Sequence, residues 1–141
     1  MKNNDSKVFV SQKAIIVNKD GNILAIRRSR TAPSRPLHWD LPGGTLDFGE
    51  DTQEGITREI REETNLDINN LQAIDVISGM DDRGEFWVTI CYIADLTDST
   101  VKLSFEHDDF RWLTPKEFQK LKSSPRNRKF VKRFSSLKSE K

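Results

Sequence analysis

The sequence predicts an α+β domain, a mixed β-sheet with helices packed against it. Three observations predict this: two strand-like stretches joined by a hairpin signal near the start, a proline-free acidic helix in the middle, and a capped helix start late in the chain. Lys7 to Val17 and Asn22 to Arg28 read as strands, and Asn18-Lys19-Asp20-Gly21 between them carries the turn chemistry of a hairpin. Pro42-Gly43-Gly44 is a turn in which glycines let backbone approach a ligand closely. The residues from Asp51 to Thr64 are rich in Glu, Arg and Ile and end at Asn65, which tolerates the left-handed conformation that closes helices. Gly55 interrupts that helix at a cost of about 0.5–1 kcal/mol, which close packing against the Gly43-Gly44 loop would explain. Further strands are expected at Leu71 to Ser78, Glu85 to Asp95 and Phe110 to Leu113, the first two joined by a turn at Met80 to Gly84. Thr114-Pro115-Lys116-Glu117 supplies an N-cap, a proline in the first turn and a capping-box Glu for a short helix to about Lys122.

The 141 residues suit one domain, and 32% charged with 35% hydrophobic residues is ordinary for a soluble protein. Met1 to Lys7 lacks the apolar core of a secretory signal, and no run of about 18 apolar residues suggests a membrane span. A cytoplasmic protein is expected. Cys91 has no partner for an internal disulfide and reads as a strand core residue. From Lys120 onward nine basic residues face one acid, so the overall charge of +1 conceals an acidic body and a basic end. Phe130, Phe134 and Leu137 recur at helical spacing. Residues 1–124 are therefore read as the main unit, and 125–141 as a basic helix or tail docking its apolar edge on the same domain.

The middle helix carries the chemistry. Glu59, Glu62 and Glu63 fall within an arc of roughly 100°, so three carboxylates converge on one face. Glu62 and Glu63 also lie in the last turn, where the helix dipole disfavours negative charge by about 0.3–1 kcal/mol each. A hard divalent cation resolves that conflict, because Mg²⁺ takes oxygen ligands and bridges carboxylates to phosphate oxygens. A solvated face with Glu54/Arg58 and Arg58/Glu62 pairs is the plain alternative.

The surrounding pattern decides between them. Gly44, five residues, Glu50, seven residues, then Arg58-Glu59-Ile60-Arg61-Glu62-Glu63-Thr64-Asn65-Leu66 resembles the box of the Nudix hydrolases, with Asn65 standing where the family has Gly. Trp39-Asp40-Leu41-Pro42 and Arg111-Trp112-Leu113 also look like family neighbours of the box, extending the resemblance over most of the chain. The resemblance implies an α/β/α sandwich with the box helix packed on a mixed sheet. It implies a Mg²⁺-dependent hydrolase, with Mn²⁺ as the alternative ion, that cleaves a diphosphate linkage without a covalent intermediate. Glu59, Glu62 and Glu63 inherit the metal role together with Gly43, whose carbonyl or amide can approach a ligand. Glu50 and Arg58 inherit a bracing role in catalysis, and the general base is either a box Glu or Glu106 of a later loop, with His107 as a lesser candidate.

Arg28, Arg35 and Trp39, in and around the loop of residues 29–37, are the candidates for substrate binding: arginine forks suit polyphosphate, and a tryptophan can stack on a base. The expected partner is a nucleotide or a nucleoside diphosphate derivative, with neither membrane nor nucleic acid. The chain has no proline between Gly43 and Thr114, whereas relatives acting on ADP-ribose tend to carry one about fifteen residues beyond the box, where Asp81 falls here. A small enzyme of this kind most resembles the MutT-like nucleoside triphosphate pyrophosphohydrolases, and the base stays open among normal, oxidised and pteridine rings. The rival readings are a catalytically silent nucleotide-binding domain, a hydrolase of nucleotide sugars or dinucleoside polyphosphates, and a nucleic-acid binder using the basic tail.

Overall fold

The computed structural model describes residues 6–139, with the side chain of Ser139 excepted. The reading of Met1 to Asp5 and of the tail's last two residues, Glu140 and Lys141, lies outside the described residues. Seven strands form one mixed sheet: β1 (Val8–Val17), β2 (Ile23–Arg28), β3 (Trp39–Asp40), β4 (Gly43–Thr45), β5 (Ile68–Met80), β6 (Phe86–Leu96) and β7 (His107–Leu113). Its spatial order runs β3-β2-β1-β6-β5, with β4 paired to β1 and β7 to β2. Only the β1/β6 pair is parallel, in register from Val8 opposite Phe86 to Val17 opposite Asp95.

Alternation along the central strands sends apolar side chains to both faces, so helices must cover both. On one face Ala14, Ile16, Leu24 and Ile26 pack with Ile56 and Ile60 of α1 (Thr52–Thr64). On the other, Ile15, Ile23 and Ala25 pack with Phe118 of α2 (Pro115–Phe118) and with Phe130, Val131 and Phe134 of α3 (Pro125–Ser139). The result is a sheet sandwiched between helices. Among the described residues no helix is long and apolar enough to cross a membrane.

Local chemistry sets the helix ends. Asp51 caps α1 by accepting from the Glu54 amide at 3.0 Å, and Asn65 closes it at φ 63°, its N–H donating to the Arg61 carbonyl. Asn65 thus adopts the left-handed conformation required of a residue in that place. Thr114 and Glu117 form the expected capping box. α2 ends at Phe118 rather than near Lys122, because the chain turns there: the Lys122 carbonyl accepts from the Trp39 amide, and Ser123 bridges to Trp39.

Strand bounds differ for equally local reasons. β5 begins at Ile68, before the expected Leu71, through a bulge that places Asn70 at φ 58°. β7 begins at His107, before the expected Phe110, because its acidic start pairs with β2 and Asp108 accepts from Arg27 Nε at 2.8 Å. The short strands β3 and β4 were not expected; Pro42-Gly43-Gly44, read as a turn, runs directly into β4.

Candidate functional site

The acidic face of α1 meets the β4 edge through glycine. A Cβ on Gly44 would lie 2.7 Å from the Glu59 carboxyl carbon, so the absence of a side chain there is what lets that carboxylate lie against the strand. The Gly43 N–H donates to Glu63 Oε1 at 2.8 Å, fixing the second carboxyl against the same segment. Gly55 differs from expectation. Its neighbours are the Glu50 carboxyl and the Gln12 side chain, not the Gly43-Gly44 loop. A small residue in that turn of α1 therefore makes room for Glu50, which braces the helix from outside.

Arg58 is the hub of that bracing. Its Nε and Nη2 donate to Glu50 Oε2 at 3.0 and 2.9 Å, Nη1 to both oxygens of Glu62 at 3.1 Å, and Nη2 to Glu59 Oε1 at 3.2 Å. Hydrogen bonds donated to Glu50 and Glu62 raise the Arg58 pKa further above its ordinary value, against its partial burial. Glu59, Glu62 and Glu63 all line one cleft. Among the described residues, however, no three acidic, His or Cys groups close into a cation cage, since Arg58 draws Glu59 and Glu62 toward itself.

Burial raises the pKa of Glu59, and pushes that of Glu63 up to about 8 despite the neighbouring Lys13 charge and the Gly43 amide. Two partly or wholly desolvated carboxyls beside an exposed one form an all-oxygen donor set. Those groups, with the Gly43 backbone and the room that Gly44 leaves, fit a hard divalent cation.

The cleft, about 1060 Å³, continues from the acidic face past a buried polar cluster that the sequence reading missed. Lys13 Nζ donates to Asp40 Oδ2 at 3.0 Å, Asn127 Nδ2 and the Leu41 amide donate to Asp40 Oδ1 at 2.7 and 2.8 Å, and Arg28 Nη1 stands 3.6 Å away. Burial opposes the Asp40 charge, but Lys13, Arg126 and these donors outweigh it and hold the carboxyl well below the usual range. The legible signal was a lysine placed immediately before the apolar run Ala14-Ile15-Ile16.

The other sequence candidates are placed as follows. Glu106 is exposed on the cleft wall, in the same cleft as Glu59 and Glu62. Arg28 lines the cleft with its Nε donating to the Ser34 carbonyl at 2.8 Å. Arg35 also lines it, from a backbone held at φ 47°. Trp39 is 7% exposed and belongs to the core under α3, with the Arg111 and Arg27 guanidiniums over its ring at 4.6 and 5.8 Å. Trp39 also lines the cleft.

His107 is buried, with no partner at Nδ1, and burial lowers its pKa from the usual 6.5 to about 4. It is therefore neutral at pH 7. NMR titration should give a His107 midpoint near 4. Because the unfolded chain takes up this proton first as pH falls, the wild type should lose stability relative to His107→Gln between pH 6.5 and 4. A midpoint near 6.5, or a stability difference independent of pH, would contradict this burial.

A mixed sheet between helices, with a glycine strand edge laid against an acidic, arginine-braced helix, defines a Nudix-type domain. The chain belongs to the NUDIX domain family, whose model matches residues 9–134. It is 32% identical over 111 residues to a MutT-like protein of Streptomyces ambofaciens, covering 77% of this chain and 65% of that one. It is 34% identical over 89 residues to an ADP-ribose pyrophosphatase of Methanocaldococcus jannaschii, covering 62% of this chain and 51% of that one. The chain thus spans less than two thirds of either relative's length. Among solved structures, a MutT protein from Methanosarcina mazei superposes with a TM-score of 0.83 at 25% identity, covering 96% of this chain and 99% of that one. Nudix hydrolases act on phosphorus-containing anhydrides.

Proposed function

We propose that this chain is a divalent-metal-dependent hydrolase that cleaves a diphosphate linkage in a nucleoside triphosphate or related nucleotide, releasing a monophosphate and pyrophosphate. The observation that carries this reading is one cleft lined by Glu59, Glu62, Glu63 and Gly43 together with the cationic side chains Arg28, Arg35 and Lys129. Anionic phosphates need the cations, and a hard cation needs the carboxylates. A bound Mg²⁺ would act as a Lewis acid on the phosphates and make a water a stronger nucleophile.

The chain's own residues do the rest. Arg58 and Glu50 hold Glu59 and Glu62 in place, the Gly43 amide orients Glu63, and Arg28 and Arg35 offset charge on the phosphate chain. Glu106, exposed on the cleft wall, accepts a proton from the attacking water. Similarity to an ADP-ribose pyrophosphatase supports a second reading, cleavage within a nucleoside diphosphate derivative.

A panel of nucleoside triphosphates, nucleotide sugars and dinucleoside polyphosphates, assayed with Mg²⁺ for pyrophosphate and for monophosphates, separates the two readings. Pyrophosphate release from triphosphates supports the first; two monophosphates from ADP-ribose and no pyrophosphate support the second. No product from any substrate overturns both. Cation binding has its own readout in the absence of substrate. At about ten times its Kd, Mg²⁺ should stabilise the fold by roughly 1.4 kcal/mol, raising Tm by about 3–5 °C. An unmoved Tm at saturating Mg²⁺ would count against a site formed by these carboxylates.

A further inference from the structure

We propose that the part of the cleft between Trp87 of β6 and Arg126 of α3 is a nucleobase site that selects guanine, with Trp87 as the stacking platform and the Arg126 guanidinium donating to O6 and N7. This rests on the nucleotide reading above and extends it to the base.

Both residues line the cleft. Trp87 is held rigidly: its Nε1–H donates to Asp81 Oδ2 at 3.0 Å, and its ring stacks on Phe9 with centroids 5.0 Å apart. Thr89, two residues along β6, projects from the same face about 7 Å further on, and Arg126 Nη1 lies 3.4 Å from its hydroxyl. Trp87 and Arg126 therefore border the same stretch of the cleft, the guanidinium beside Thr89 and the indole one step away on that strand face.

The guanidinium is under-used where it stands. It is partly buried, and of its five donors only two are engaged, both at 3.4 Å, to Thr89 Oγ1 and Asn127 Oδ1. Its Nε is buried with no partner, and among the described residues no carboxylate pairs with it. Asp40, the nearby acid, is already taken up by Lys13, Asn127 and the Leu41 amide. A desolvated guanidinium that meets Asp40 only through space, with its Nε unpartnered, is completed by an acceptor that arrives with the ligand.

The form of the acceptor follows from the pair. A guanidinium fork matches two adjacent acceptors, and guanine O6 and N7 present them on a planar ring suited to an indole face. Adenine puts an amino donor at the first position, and 8-oxoguanine puts an N7–H donor at the second. Each of these sets donor against donor.

The test is equilibrium binding, by calorimetry with Mg²⁺ present, of GMP, AMP, 8-oxo-GMP and ribose 5-phosphate to the wild type, Arg126→Gln, Arg126→Lys and Trp87→Leu. GMP should bind the wild type about tenfold or more tightly than AMP or 8-oxo-GMP. Arg126→Gln should abolish that preference and leave ribose 5-phosphate unaffected. Arg126→Lys, which keeps the charge but not the fork, should lose the preference as well, and it decides the matter if the Gln variant misfolds. Trp87→Leu should weaken the three nucleotides alike. An unchanged GMP-to-AMP ratio in both Arg126 variants overturns the proposal, and so does an equal loss of ribose 5-phosphate, which would assign Arg126 to phosphate. Because monophosphates are not hydrolysed, a GMP preference in a protein that cleaves nothing would refute the proposed activity and leave the base site standing.

Discussion

Glu62→Gln should lower kcat by at least about a hundredfold while leaving the fold intact. The Glu62 side chain is 58% exposed, and among the described residues its partner is Arg58, one turn earlier. Such an exposed four-spaced pair contributes about 0.3–0.5 kcal/mol, and Gln keeps the shape. The variant removes one negative oxygen donor from the cleft and little else, so activity and stability should separate. Activity equal to wild type, or wild-type activity retained in chelator, would refute the metal role of this face.

Gly43→Ala should produce the larger structural loss. Gly43 has φ 149°, and a Cβ there would lie 1.9 Å from the Gln12 carbonyl oxygen and 2.9 Å from Lys13 Cα. Both neighbours are backbone of the central strand, so no rotamer relieves the overlap; the β1/β4 pairing itself must move. The cost should be about 3 kcal/mol or more, which is a fall in Tm of roughly 10 °C for a chain of this size. Displacing β4 also moves the amide that holds Glu63, so metal affinity should fall with stability. A thermal melt within 2–3 °C of wild type (roughly 1 kcal/mol) would show that this strand edge yields more easily than its contacts indicate.

The acidic helix was legible because its signals are local. Asp51, Glu54 and Asn65 fix its ends through bonds only three or four residues long, and Ile56 and Ile60 mark its buried side. The capping box of α2 and the docked edge of α3, with Phe130 and Phe134 in the core, were legible for the same reason. β3 and β4 were not, since strands of two and three residues carry no periodicity and exist only through pairing with β2 and β1. The site divides in the same way. Spacing along one helix brought Glu59, Glu62 and Glu63 to one cleft, but the Asp40 cluster joins Lys13, Asp40 and Asn127 across separations of 27 and 87 residues. Trp39, a candidate for stacking on a base, lines the cleft with Arg111 and Arg27 near its ring, contacts that no local pattern announces.

The parallel pairing of β1 with β6 bears on how the domain assembles on the ribosome. Ser11 and Thr89, hydrogen bonded across the two strands, are 78 residues apart. β1 leaves the ribosome well before β6, and a parallel partner reached only through a long crossover is slow to find. Until β6 emerges, the apolar run from Ala14 to Val17 has one flank unpaired, the kind of exposed edge on which nascent chains aggregate. Lys13 sits at the head of that run. The same lysine that steadies Asp40 in the finished cleft also puts a charge beside that strand edge, the kind of residue that opposes edge-to-edge association.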